Sequence, residues 1–224
     1  ILADCLRKLA LWRAPGHDKL HGYWWKRLTS LHSYLRRAFQ RVIDGHSDIP
    51  GWLTSGATTL LPKTSPPSAM PKDYRPITCL PIQYKLFTAA ISKIMWQHIN
   101  QHEILAPEQR GCAAAGLGCK EHLMVDKMIL EDAHTKGRNL VMAYLDFKKA
   151  FDSVSHEWIL HALTMYRFHP SLVTTIARSM QNWRTTMHKC DQGRCRVTTG
   201  NISIRRGIFQ GPVTDYPRYC FAWR

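Results

Sequence analysis

At Asn139 to Leu145 (NLVMAYL) the spacing of apolar residues changes. Before this point they recur every three to four positions. Here they run together over a stretch too short for a helix, the pattern of a strand buried on both faces. With helical patterns on either side of it, this strand makes the fold class α+β, expected as one domain. Helices are expected over Tyr23–Ile43, closed by Gly45, over Ile82–Ile99, and over Lys120–His134, closed by Gly137. Two more follow, Glu157–Tyr166 with Ser155 as its cap and Leu172–Trp183 with Pro170 in its first turn. Trp52–Leu61 reads as an extended piece. KTSPPSAMPKDYRP after it is a Pro-rich loop that cannot pair continuously. Thr185–Ile204 alternates around Asp191-Gln192-Gly193, a hairpin signal.

Charge narrows the function classes. The 31 Lys and Arg against 16 Asp and Glu give +15, spread over both halves of the chain and not gathered in a tail. Such a surplus points to a polyanion, nucleic acid above all. No apolar stretch approaches the roughly 20 residues of a membrane helix, and the N-terminus lacks the order of regions that makes a signal peptide. Seven Cys without regular spacing suit a reducing, intracellular compartment and not a disulfide framework. The chain does not start with Met and is expected to be cut from something longer.

Asp146 closes the apolar run, and a strand end is where a side chain emerges from a core toward a cleft. A carboxylate there is a hard oxygen ligand suited to Mg²⁺ held together with substrate phosphates. One Asp does not hold a metal alone. Read by themselves, Asp146 is a solvated carboxylate at a strand end, Phe151 a core aromatic, and Lys63 and Arg75 surface cations. His188, Cys190 and Cys195 (H-x-C-x₄-C) have zinc-ligand chemistry but no fourth ligand at a usual spacing. His17 and His21 read as surface residues, and Trp24 and Trp25 as core and edge of the first long helix, with base stacking the minor reading.

Five segments in order, RAPGHDKLHGYWWKRL, TTLLPK with DYRPITCLPIQYKLF, LAPEQRG, YLDFKKAFDSV and RRGIFQG, resemble the polymerase domain of a non-LTR (LINE-type) retrotransposon reverse transcriptase. The resemblance covers about 200 residues. It implies residues 1–138 as a fingers-like region, 139–211 as a partial palm and 212–224 as a divergent tail. It also implies RNA-templated DNA synthesis by two-metal phosphoryl transfer, with an RNA template, a DNA primer, deoxynucleoside triphosphates and Mg²⁺ as partners. In that frame Asp146 is the catalytic metal ligand, and Phe151 the steric gate that refuses a 2′-hydroxyl. Lys63 and Arg75 hold the triphosphate, Arg75 aimed by the following Pro76. Gln210 and Gly211 lie at the incoming nucleotide. Gln109 and Arg110, with Gly111, contact the template, and Arg205 and Arg206 contact phosphates. Asp152 is expected to point away from the site and cap the following turn or helix.

The resemblance breaks after Gly211. The Tyr/Phe-x-Asp-Asp motif and the thumb do not occur before Arg224, so the chain is expected to be inactive by itself. A group II intron maturase fragment and a catalytically silent basic RNA-binding module are the alternative readings. The family's G-D-S-L-S-P-L-L-F is replaced by Pro212 onward. Back-translated and regrouped from each third base, however, the codons of Gly211 to Trp223 read G-D-(R or G)-L-S-P-L-L-F-C-M with suitable third bases. Residues 212–224 are therefore expected to be a frame-shifted tail.

Overall fold

The computed structural model describes residues 1–64, 70–106, 108, 119–146, 149–191 and 194–209. The tip of the Pro-rich loop, Gln109 to Gly118, the residues just after Asp146, and Gln210 to Arg224 lie outside these. Among the described residues are eight helices: α1 (Leu2–Lys8), α2 (Gly22–Arg27), α3 (His32–Ile43), α4 (Ile82–Gln101), α5 (Cys119–Thr135), α6 (Ala150–Ser153), α7 (His156–Met165) and α8 (Pro170–Gln181). Five strands, β1 (Ser55–Pro62), β2 (Tyr74–Cys79), β3 (Arg184–Asp191), β4 (Arg194–Thr198) and β5 (Ile202–Ser203), form one mixed sheet ordered β2-β1-β3-β4, with β5 also on β3. The α+β expectation holds.

β1 is the hinge of the sheet. It pairs antiparallel with β2, Thr58 opposite Thr78, and parallel with β3, Ala57 opposite Thr186. On the covered face Thr58, 2% exposed, shares its hydroxyl with Thr78 and Thr185, each at 2.7 Å, so its polar atom is satisfied inside the core. α4 is the other half of the core. Its buried residues lie all round the helix, among them Tyr84, Leu86, Phe87, Ile91 and Met95. A helix apolar on every side is one packed from every side. Cys5 and Leu6 of α1, Phe39 and Val42 of α3, Ile159 and Leu163 of α7, Ile176 and Met180 of α8 and Phe209 join it in one cluster. Tyr84 is wholly buried and receives a hydrogen bond from Trp183 Nε1 at 2.7 Å; burial pushes its phenol up to about 12.

Two expectations change. The helix expected over Tyr23–Ile43 is interrupted: α2 ends at Arg27, a 3-10 turn spans Thr29–Leu31, and α3 begins at His32. Thr29 and Ser30 favour turns over helix interiors, and the His32 ring donates to the Trp25 carbonyl at 2.8 Å, meeting one of the carbonyls that α2 leaves open. Trp24 is exposed, not core, while Trp25 packs against the core cluster. The second correction is larger. Asn139–Leu145 is not a strand: it pairs with nothing among the described residues, and Val141 and Leu145 are 94% and 93% exposed. A strand exists only by pairing, and the sheet closes through β1 to β5 without this segment. The adjoining α5 shares the condition, with Leu123, Met124, Met128 and Leu130 all exposed. Ser155 does stand at the N-cap of α7, but without a side-chain hydrogen bond. α1, at the start of the chain, has no counterpart in the sequence expectations.

Candidate functional site

The β1–β2 hairpin carries the two expected triphosphate ligands. Opposite residues of an antiparallel pair share a face, and so do residues two apart on one strand. Arg75 stands opposite Leu61. The Lys63 amide donates to the Asp73 carbonyl at 2.8 Å, extending the ladder one step beyond Pro62 and Tyr74. Lys63 and Arg75 therefore lie on the same side of the hairpin tip, opposite the face that buries Thr58, and both are exposed. Lys63 Nζ donates to the Lys72 carbonyl at 2.6 Å, which holds its side chain across the hairpin. Pro76 follows Arg75 in β2 as expected.

A second grouping joins two motifs that are some fifty residues apart in the sequence. The Ile208 amide donates to the Phe151 carbonyl at 2.9 Å and the Gly207 amide to the Val154 carbonyl at 2.8 Å, while Ser155 and Arg206 form an antiparallel bridge. His156 Nε2 donates back to the Gly207 carbonyl at 2.8 Å. Gly207 makes this approach feasible. Its φ is +77°, and a Cβ on it would lie 2.8 Å from the Asp152 Cα and the Phe151 carbonyl oxygen. Phe151 is about half exposed and so is not a core aromatic. Arg205 and Arg206 are exposed beside it in sequence and bridge.

Phe209 anchors the grouping. Its ring is 6% exposed, 5.2 Å from Trp183, and lies near the position a Cβ on Gly56 of β1 would take. Trp183 in turn bonds Tyr84 and meets the His156 ring edge-on at 5.4 Å. From α4 to Gly207 there is thus a continuous packed path. Trp183, His156 and Gly207 were missed in the sequence reading. Only the glycine after a double arginine carried a signal, and nothing local marks a Trp or a His as a brace.

Asp146 is described, exposed, and at the end of the unpaired segment, not at the end of a buried strand. Among the described residues no three His, Cys, Asp or Glu side chains gather where a metal could sit. One exposed carboxylate does not hold Mg²⁺, so the described residues do not by themselves make the expected metal centre. Both ring nitrogens of His188 are engaged by threonine hydroxyls, Thr186 at 3.2 Å and Thr198 at 3.1 Å. The side chains of Cys190 and Cys195 lie outside the described residues, as do Gln109, Arg110, Gly111, Gln210 and Gly211.

Residues 61–212, more than half of the chain, match the family model described as reverse transcriptase (RNA-dependent DNA polymerase). The chain belongs to the reverse transcriptase family. It is 25% identical over 218 residues to the transposon TX1 uncharacterized 149 kDa protein of Xenopus laevis, an alignment covering 94% of this chain and 15% of that protein. It is 29% identical over 169 residues to a retrovirus-related Pol polyprotein from type-1 retrotransposable element R2 of Nasonia vitripennis, covering 74% of this chain and 15% of the polyprotein. The R2DM polyprotein of Drosophila melanogaster is 25% identical over 181 residues, with 81% and 16% covered. These relatives agree with the non-LTR, LINE-type resemblance and do not favour the maturase alternative. This reverse transcriptase chain spans about a sixth of their length. Every candidate residue from Lys63 to Gly211 falls inside the family match. No helix among the described residues is long and apolar enough to cross a membrane.

Proposed function

We propose that this chain is the nucleotide-handling part of an RNA-templated DNA polymerase, which extends a DNA primer with deoxynucleoside triphosphates in an intracellular setting. The observation that carries the reading is the junction of Phe151–His156 with Arg205–Phe209 across Gly207, which ties the Phe151 backbone to the segment leading into Gln210. In this reading Phe151 presents its half-exposed ring to the sugar of the incoming nucleotide. Gln210 and Gly211, next in sequence after Phe209, are assigned to the sugar and base of the incoming nucleotide. Lys63 and Arg75, side by side on the hairpin, take the triphosphate, the Lys as a point charge and the Arg as a two-pronged donor. Gln109 and Arg110 contact the template, and Arg205 and Arg206 the phosphate backbone. Asp146 contributes one carboxylate toward Mg²⁺, the remaining ligands coming from outside the described residues.

The test needs a longer chain, this one continued by the corresponding Pol sequence of the Nasonia relative. Primer extension on an RNA template is expected. Asp146→Asn abolishes it with template binding nearly intact, and Phe151→Ala admits ribonucleotides. Extension that survives Asp146→Asn, or sugar selection unmoved by Phe151→Ala, overturns the assignment of this motif.

A further inference from the structure

Trp12, Tyr23 and Trp24 form an aromatic array at the surface, and none of the three is a candidate polymerase residue. Gly22 makes the array feasible. A Cβ at that position would lie 2.4 Å from the Ala10 carbonyl oxygen, so only a glycine lets the stretch before Trp12 close on the start of α2. The Tyr23 amide donates to the Leu11 carbonyl at 3.0 Å and fixes that approach. Trp12 then stacks on Tyr23, centroids 5.1 Å apart and planes 16° from parallel. Trp24 meets Tyr23 at 5.3 Å and 87°, and the His21 ring tilts against Trp12 at 5.7 Å.

These tryptophans are not core residues. Trp12 is 68% exposed and Trp24 50%. With Tyr23 covering one face, that exposure leaves the opposite face of Trp12 open. A tryptophan left in water contributes little to folding, and a cluster of them at a surface marks a place where something binds. Charge decides what kind of ligand fits. The Arg27 guanidinium lies 5.8 Å from the Tyr23 centroid, and between Asp4 and Asp44 the chain has nine Lys and Arg against one acid, Asp18. Such a setting repels the quaternary ammonium or methylated lysine that aromatic clusters otherwise take, and attracts an anion. An anion with flat rings to offer is a nucleic-acid strand whose bases are unpaired; in a duplex each base face is already covered by its neighbours.

We infer that this array binds a single-stranded polynucleotide, bases stacking on Trp12 and Trp24 while Arg27 attracts the backbone phosphates. Stacking uses the face of a base and not its edge, so binding here is tolerant of sequence. The inference does not rest on the polymerase reading, since the array shares no residue with it and the test needs no catalysis.

Fluorescence-anisotropy titrations of the whole chain test it with three labelled probes of equal length: oligothymidylate, a base-free deoxyribose-phosphate strand, and oligothymidylate paired with its complement. Oligothymidylate is expected to bind about tenfold or more tightly than the base-free strand. That ratio persists as salt rises although both affinities fall, because stacking is not screened as phosphate contacts are. Both tryptophans are exposed, so the Trp12→Ala, Trp24→Ala double variant folds with unchanged circular dichroism. It removes the ratio and leaves the base-free strand and the duplex binding as before. Trp12→Phe with Trp24→Phe keeps most of the ratio. Equal binding of base-bearing and base-free strands overturns the inference, as does a ratio that survives the alanine variant. So does an alanine variant that weakens all three probes alike, or a phenylalanine variant that loses as much as the alanine one.

Discussion

A methyl group at position 207 would meet the backbone of Asp152 and Phe151 at 2.8 Å, and its residue would hold φ at +77°, where side chains are strained. Backbone cannot yield as a side-chain tip does. Gly207→Ala is therefore expected to cost about 1–3 kcal/mol, read as a lowered denaturation midpoint, and in an extended active chain to relax sugar selection by shifting Phe151. A variant with both properties unchanged would show that the junction tolerates separation. Tyr84 is the second residue with consequences at this scale. Its phenol is held neutral up to about pH 12 by burial, against an ordinary value of 10 in the unfolded chain. The stability this represents is fully present below pH 10 and is lost as pH rises from 10 through 12, because only the unfolded state releases the proton over that range. The native chain should lose stability faster than Tyr84→Phe between pH 10 and 12 in paired urea titrations. Parallel loss in the two would remove Tyr84 as the cause. The phenylalanine variant also leaves Trp183 Nε1 without its acceptor, so its stability at neutral pH should be lower by about 1–3 kcal/mol.

Among the elements, α4 and the segment 139–146 show opposite fates for apolar sequence. Ile82–Ile99 was expected as a helix and is one, running on to Gln101, because its apolar residues find α1, α3, α7, α8 and the sheet around them. Leu140–Leu145 is no less apolar but meets no partner strand among the described residues, and Val141, Tyr144 and Leu145 stand in solvent. Amide hydrogen exchange separates the two directly. Residues 140–145 should exchange at nearly the rate of an unstructured peptide, while the amides of Phe87 to Met95 exchange only through large-scale opening. Strong protection at 140–145 in the isolated chain would mean that the segment is paired in solution. The β3–β4 hairpin was legible from its alternation and turn residues. The parallel β1–β3 pairing was not, since the partners are well over a hundred residues apart and parallel neighbours leave no turn signal between them.

On the scale of the whole molecule the +15 charge dominates. Nucleic acid, RNA or DNA, should bind with little sequence preference and lose about a hundredfold or more in affinity between low and moderate salt, as released counterions require. Affinity indifferent to salt would remove phosphate contacts as its source. The tail calls for a different test. We propose that Pro212 to Arg224 result from a shifted reading frame, which accounts with one small insertion or deletion for the loss of the family continuation after Gly211. Sequencing the locus should recover a Leu-Ser-Pro continuation and an Asp-Asp motif in the neighbouring frame; their absence there ends the explanation.

The sequence by itself determined the fold class, most helices, the family and the candidate residues, because periodicity, turn chemistry and ordered motifs are local properties written along the chain. Tertiary structure alone decided that Lys63 and Arg75 share one face of a hairpin and that Gly207 brings Phe151 to the segment before Gln210. It also decided that Trp12 stacks on Tyr23, and that the most strand-like segment of the chain pairs with no strand among the described residues. All four depend on what lies opposite a residue in space, and no local pattern encodes that. An apolar run states that a strand can be buried; only a neighbouring strand makes it so.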